Sequence, residues 1–170
     1  ISQTNLEELF NKVLIIFEDK GLETANNNKL FIQLIKNNII AVLAMMLMGL
    51  VPIIILPAIS LGFNSIVIGV VLAFSKQQTG KVMGVALIGI LPHGITEIAA
   101  MVISTTLGIQ ISTKIYRLLR KQIKKENLKQ DIKGYIKTFI LIVLPLVVVS
   151  AVIESYVTSE LIKTFINKTI

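Results

Sequence analysis

Charged residues are almost missing from three long stretches of this chain. Residues 37–75 and 138–153 contain no Asp, Glu, Lys or Arg, and residues 82–113 contain only Glu97. Because about 20 apolar residues cross a bilayer as a helix, this pattern indicates an all-α, polytopic membrane protein. Outside the third stretch, the predicted spans are residues 38–59, 61–75 and 135–153.

The third stretch is too short for two ordinary crossings. Residues 82–113 number 32, whereas two full crossings need roughly 40. The flanking basic residues point to the same side of the membrane, so the chain has to leave and return. We predict a hairpin of short or re-entrant helices, residues 82–91 and 95–112, with Pro92-His93-Gly94 as its turn. Two short tilted crossings with the turn at the outer surface are the alternative.

Apolar residues recur at helical spacing in the N-terminal segment, which predicts an amphipathic helix. We expect an N-terminal cytoplasmic helix and linker over residues 1–28, with no cleavable signal peptide, followed by a single membrane domain over 29–170. Amphipathic interfacial helices are predicted within that domain, one of them basic and cytoplasmic over residues 114–133. The C-terminus is then extracytoplasmic.

Composition agrees with a membrane location and changes the interpretation of the charge. The chain is 54% hydrophobic, with a mean hydropathy of +0.78 and a formal charge of +7. Nine Lys and Arg residues lie in residues 114–137, beside a predicted span, which favours a topology signal and contact with anionic lipid over nucleic-acid binding. The residues expected to face lipid headgroups are Arg117, Arg120, Lys121, Lys124 and Lys125. Since the chain has no cysteine, disulfides and thiolate metal sites are excluded.

A histidine and a carboxylate four residues apart stand out in the third stretch. His93 and Glu97 lie on one face of any helix that begins near Pro92, and an ionised carboxylate in hydrocarbon would cost several kcal/mol, roughly 3 or more. A buried structural pair, a proton or ion path, and a hydrolytic site are the three uses open to them, and we favour the structural pair. A metal site normally needs three protein ligands, and the only other acid near a span end is Glu154. We predict no metal, no cofactor and no catalytic residue.

Two further kinds of residue are unusual in apolar helices. The amide of Asn64 has to find a partner in the bilayer, or else form a turn at the outer interface. Glycines supply points of close packing, and those expected to matter for turns and packing are Gly69, Gly94 and Gly108.

Several short segments, taken in order, resemble the stage II sporulation protein M family of multi-pass membrane proteins. They are Asn37-Asn38, residues 63–69, Leu-Pro-His-Gly-Ile-Thr-Glu-Ile at 91–98, Gly108, and Ile-Glu-Ser-Tyr-Val-Thr at 153–158. The family usually has Asn-Gly where this chain has Asn64-Ser65. The resemblance places the family signature on Asn64, Gly69, Pro92, His93, Gly94, Glu97 and Glu154.

The resemblance implies a non-catalytic scaffold or assembly protein in a bacterial cell membrane, which recruits partner proteins. The alternative that it implies is a membrane component of circular bacteriocin maturation, export or immunity, working with a separate ATPase. The expected partners are therefore the lipid bilayer and other membrane proteins, including an ATPase in trans or a small hydrophobic peptide. The sequence also leaves assembly of several copies into a homo-oligomer as an alternative.

Overall fold

The computed structural model describes residues 26–79 and 84–161, which are helical almost throughout and contain no strand. Four helices in these residues are long and apolar enough to cross a membrane. They are Asn27–Leu50, Leu56–Ala73, Ala86–Leu119 and Lys125–Leu161. The prediction of an all-α, polytopic membrane protein is confirmed. The predicted N-terminal amphipathic helix lies largely outside the described residues.

Five α-helices make up these spans. They are α1 Asn27–Leu47, α2 Leu56–Thr79, α3 Leu91–Leu119, α4 Lys125–Thr138 and α5 Leu144–Val152. A short 3-10 helix, Met48–Leu50, ends the first span. Three π-helices, Val85–Ile90, Phe139–Val143 and Ile153–Thr158, are continuous with the α-helices beside them.

The first two spans are separated at Pro52, eight residues earlier than predicted. Val51 has extended backbone angles, as expected of a residue that precedes proline, and the chain is not helical again until Leu56. The predicted boundary between the spans 38–59 and 61–75 is wrong, because α2 runs from Leu56 through these positions without a break. Asn64 therefore lies inside a helix.

The predicted turn at Pro92-His93-Gly94 is also wrong, because the helix runs through these residues as one 34-residue span, Ala86–Leu119. The π-helix just before them gives the physical reason. Its wider turn lets the Leu91 amide bond to the Ala86 carbonyl, five residues back, so the missing amide of Pro92 does not end the helix. One continuous helix, long and apolar enough to cross a membrane, replaces the hairpin of residues 82–91 and 95–112.

The last span also has a π-helix directly before a Leu-Pro pair. The Leu144 amide bonds to the Phe139 carbonyl across a π-helix, and Pro145 follows at once. The helix is continuous from Lys125 to Leu161, a length of 37 residues. The basic segment therefore divides between the end of α3 and the start of this last helix, and it does not form the separate surface-lying helix predicted for residues 114–133.

The chain forms two compact units, and we describe each by itself. The second unit comprises Asn38–Phe63 and Thr96–Val148. Its core is apolar, with α1, α3 and the last helix contributing residues such as Met45, Leu107 and Val143. The first unit comprises Ile1–Asn37, Asn64–Ile95 and Val149–Ile170.

Small side chains bring α1 and α3 together in the second unit. Ala100, Ser104, Gly108 and Ser112 follow one another at four-residue spacing along α3, and all are buried. The Ser104 hydroxyl donates to the Val42 carbonyl, and the Ser112 hydroxyl donates to the Val51 carbonyl at 3.0 Å. Between these two bonds the backbones of Gly49 and Gly108 meet with no room for a side chain on either.

Candidate functional site

His93 is the centre of a polar cluster inside the first unit. Its ring lies in the first turns of α3 and is buried, although the surrounding sequence is apolar. Nδ1 lies 3.3 Å from Oγ1 of Thr158, which is a hydrogen-bond distance. Nε2 lies 4.0 Å from a carboxylate oxygen of Glu154. The imidazole therefore stands between a hydroxyl and an acid.

Glu154 and Thr158 come from one π-helix, Ile153–Thr158, and this π-helix contacts the π-helix Val85–Ile90 that precedes His93. Each π-helix inserts extra backbone into a turn and so shifts the side chains after it relative to an ideal helix. The cluster is thus built where two such irregular turns meet. Irregular turns of this kind occur often at functional sites.

The ring orientation follows from the two partners. A proton on Nε2 faces the Glu154 carboxylate, which at 4.0 Å is an electrostatic neighbour and not a hydrogen-bond partner, and this tautomer leaves Nδ1 to accept the Thr158 hydroxyl proton. A second hydrogen bond fixes the backbone below the ring, because the Ser150 hydroxyl donates to the His93 carbonyl at 3.3 Å. His93 is therefore tied to the last helix at three points.

The same unit joins the first helix to the last one. The Tyr156 hydroxyl donates to the side-chain oxygen of Asn28 at 2.6 Å, and the rings of Phe31 and Tyr156 lie 6.0 Å apart at a tilt of 49°. Asn28 stands at the start of α1, where the side chain of Asn26 accepts its backbone amide. The beginning of the first span and the end of the last span therefore lie side by side.

Glu97 follows His93 by one helical turn in α3, so that both side chains project from the same side of that helix, as predicted. Glu97 is half-buried. The acid seen against the His93 ring within this unit is Glu154, which the sequence offered only as a distant carboxylate near a span end.

A histidine and carboxylates are also ligand types for a divalent metal ion. His93 Nε2 and Glu154 Oε1, both in the first unit, are close enough for one ion to bind both atoms. The expectation of no metal stays a prediction.

The other predicted positions fall in three places. Pro92 and Gly94 lie within the first turns of α3, and Gly108 lies at the crossing with Gly49. Asn64 and Gly69 lie in α2, and nothing approaches a Cβ placed on Gly69 within 4 Å. The five predicted lipid-facing basic residues are all exposed, at the end of α3, in the connection and at the start of α4.

Sequence reasoning missed Thr158 and Ser150 as partners of His93. Both lie on the buried side of the last helix, and hydroxyl residues are common enough in membrane helices that neither is conspicuous. Gly49 was also missed. The packing face of α3 that contacts Gly49 could have been predicted, because small residues recur at every fourth position from Ala100 to Ser112.

The family model for stage II sporulation protein M matches residues 2–159 of the 170-residue chain. The chain belongs to the stage II sporulation protein M family. No curated protein and no solved structure gives a significant match.

Membership of the stage II sporulation protein M family confirms the resemblance seen in the sequence, and the match covers His93, Glu97, Glu154 and Thr158. Together with the four span-capable helices, it identifies a multi-pass membrane protein of this family.

Proposed function

We propose that this protein is a non-catalytic membrane scaffold, which assembles other membrane proteins through its helix faces. The observation that carries the proposal is the exposure of α2. Only 6% of the residues in its span-capable segment, Leu56–Ala73, are buried, whereas the share is 22% to 28% in the most apolar 18 residues of each of the other three described spans. This helix contributes little to the protein's own core.

The exposed face of α2 has the composition of a helix-packing surface. Ile59, Phe63 and Ile66 are exposed there, and a Cβ placed on Gly62 or Gly69 meets nothing within 4 Å. Gly62 and Gly69 are two helical turns apart and so lie on one side of α2. Small residues let the backbone of another membrane helix approach closely, and such contact drives helix association in lipid.

Site-specific photocrosslinking tests the scaffold proposal in living cells. A photoreactive amino acid in place of Phe63 is expected to form an adduct with another membrane protein. The matched control is Leu141, which is equally apolar and 61% exposed against 65% for Phe63, and which lies on the last helix. Adducts of equal yield at both positions, or adducts with lipid alone, would refute a specific partner face on α2.

A second variant separates partner binding from folding. Gly62→Leu with Gly69→Leu fills the open side of α2, where no described residue lies within 4 Å of a Cβ at either position. The adduct at position 63 is expected to fall at least fivefold, an order-of-magnitude figure for a loss of about 1 kcal/mol in helix packing. The melting temperature of the purified protein should not fall. An adduct with a second copy of this chain would make the scaffold a homo-oligomer.

The buried cluster around His93 supports a non-catalytic role. A hydroxyl, an imidazole and a carboxylate also occur in hydrolases, but there the hydroxyl has to reach a substrate. Here the hydroxyl belongs to Thr158, which is 3% exposed and contacts the His93 ring.

A second candidate function is favoured by the same cluster. Ionisable residues inside membrane helices often mark transport paths, so a role in peptide maturation, export or immunity with a separate ATPase is the alternative. Glu154→Gln keeps the shape of the side chain and removes its charge. Loss of peptide export or immunity in cells, with unchanged partner adducts at position 63, would favour the alternative over the scaffold.

We further propose that both ends of the membrane domain lie on one side of the membrane. The contact of Asn28 with Tyr156 supports this, because it joins the start of the first span to the end of the last one. Four crossings also return the chain to its starting side, whereas ends on opposite sides need an odd number. The nine basic residues between the last two spans favour the cytoplasm for that connection, which leaves both ends outside the cytoplasm.

A further inference from the structure

The most strongly charged surface of the second unit is the basic hairpin, by which we mean residues 114–137. It comprises the end of α3, the connection and nearly all of α4. It contains nine Lys and Arg residues and only two acids. Eight of the nine are exposed, and α4 contains no buried residue. The exposed ones are Arg117, Arg120, Lys121, Lys124, Lys125, Lys129, Lys133 and Lys137.

One ion pair fixes the depth of the basic hairpin relative to the spans. Lys114 Nζ lies 2.7 Å from Asp131 Oδ2 and joins α3 to α4. From Lys114 to the end of α3, and from the start of α4 to Asp131, the helices rise by only about 8 Å and 9 Å. On the other side of the pair the helices soon become apolar, since residues 98–113 and 138–153 carry no charge.

Along α4 the uncharged segment begins at residue 138, about 10 Å beyond Asp131, and Lys125 lies about 9 Å on the other side of Asp131. The basic hairpin is therefore about 19 Å deep along the helix, which exceeds the roughly 5–8 Å of the headgroup region on each side of a bilayer. Because cations are spread along this whole depth, the level of the lipid phosphates falls within the basic hairpin, and its other cations lie within about two Debye lengths of that level.

Apolar residues at the same level distinguish a membrane surface from an acidic protein as the partner. Leu119 and Tyr116 are 67% and 40% exposed among the arginines. The Arg120 guanidinium lies over the Tyr116 ring, 5.2 Å from its centre. Aromatic and long apolar side chains interleaved with cations fit a boundary where hydrocarbon and phosphate meet.

We propose that the basic hairpin binds the phosphate groups of anionic phospholipids and holds a shell of these lipids around the protein on that side of the membrane. The proposal does not depend on the scaffold function or on which side faces the cytoplasm.

Lipid selectivity of the reconstituted full chain tests the proposal. The protein is placed in phosphatidylcholine vesicles that contain a spin-labelled phosphatidylglycerol or a spin-labelled phosphatidylcholine, and the motionally restricted lipid is measured for each. We expect the anionic lipid to be enriched at the protein, and the enrichment to fall as salt rises from 50 to 500 mM.

Two variants that lose the same number of charges make the test specific. The first is Arg120→Gln, Lys121→Gln and Lys124→Gln in the basic hairpin. The second is Lys29→Gln, Lys36→Gln and Lys76→Gln, which are exposed lysines outside it. The enrichment of phosphatidylglycerol at the protein should fall at least fivefold in the hairpin variant, which is on the order of the effect of one or two interfacial cations. In the second variant this enrichment should change less than twofold.

Arg120→Lys, Lys121→Arg and Lys124→Arg keep the charges and should retain the enrichment, which distinguishes loss of charge from loss of fold. Equal enrichment in the hairpin variant and the parent overturns the proposal, as does an equal loss in both charge-neutral variants. If the hairpin variant keeps the lipid selectivity of the parent but no longer binds an acidic protein that copurifies with the parent, the basic hairpin is a site for that protein and the lipid proposal is overturned.

Discussion

At the scale of single residues, the side chains around His93 connect α3 to the last helix. Thr158 and Glu154 hold the two ring nitrogens and Ser150 holds the carbonyl. We expect His93→Ala to destabilise the protein by about 1–3 kcal/mol, because it removes a buried ring and a hydrogen bond whose other member stays buried. Thermal unfolding in detergent measures this.

The His93–Thr158 bond can be isolated with a double-mutant cycle. Thr158→Val keeps the shape and removes the hydroxyl, and Val157→Ala, at an exposed neighbouring position, is the matched control. A coupling of roughly 0.5–1.5 kcal/mol is expected between His93→Ala and Thr158→Val, and near zero with Val157→Ala. Strictly additive effects in the first pair would show that the contact contributes nothing to folding.

The sequence identified His93 and Glu154 as unusual but could not pair them. A helical period of 3.6 residues places Glu97 beside His93, and it says nothing about residues 60 positions away. The π-helices also shift Glu154 and Thr158 away from the positions that an ideal helix would give them. His93 and Glu154 could therefore be found from the sequence, whereas Thr158, Ser150 and the contacts among these residues could not.

At the scale of helices, the crossing of the first span, Asn27–Leu50, with α3 depends on two glycines, Gly49 and Gly108, whose backbones are in contact. A Cβ on Gly108 would collide with the Met45 carbonyl and lie 3.1 Å from two atoms of Pro57. Because backbone cannot give way as a side chain does, Gly108→Ala should destabilise the protein by about 1–3 kcal/mol. A lower melting temperature of the purified protein checks this.

Gly69→Ala is the matched control, and we expect it to raise the melting temperature of the protein. Its Cβ has nothing within 4 Å, so only helix propensity changes, and alanine is favoured over glycine by about 0.5–1 kcal/mol. If the two substitutions shift the melting temperature in the same direction, the close approach of Gly49 and Gly108 does not limit stability.

The end of a helix can be predicted from the sequence where a single residue prevents helical backbone angles. Pro52 ends the first span because it restricts Val51, and this local effect could be inferred from the sequence. Each of the three Leu-Pro pairs, at residues 56, 91 and 144, begins an α-helix, and two of them directly follow a π-helix. The predicted first span ran through Pro52, where the helix ends, and a turn was predicted at Pro92, where the helix continues; only the backbone hydrogen bonding of the preceding turn separates the two cases.

At the scale of the whole molecule, the number of crossings decides which segments share a side. The prediction of a cytoplasmic N-terminus and an extracytoplasmic C-terminus counted two crossings in residues 82–113. The topology that we propose counts one crossing there, and it puts the connection of residues 51–55 on the same side of the membrane as the basic hairpin. The bond from Ser112 to the Val51 carbonyl supports this part of the proposal, and the bond from Tyr156 to Asn28 supports a common side for the start of α1 and the end of the last helix.

Single-cysteine labelling can test this topology without background, because the chain has no cysteine of its own. Lys29→Cys and Glu160→Cys mark the two ends, and Ile54→Cys and Gln122→Cys mark the two connections; all four positions are exposed. A membrane-impermeant maleimide on intact cells should label the first pair, and the second pair only after the cells are opened, because a cation-rich connection stays in the cytoplasm. Opposite labelling of positions 29 and 160 would restore an odd number of crossings and exclude a contact between Asn28 and Tyr156.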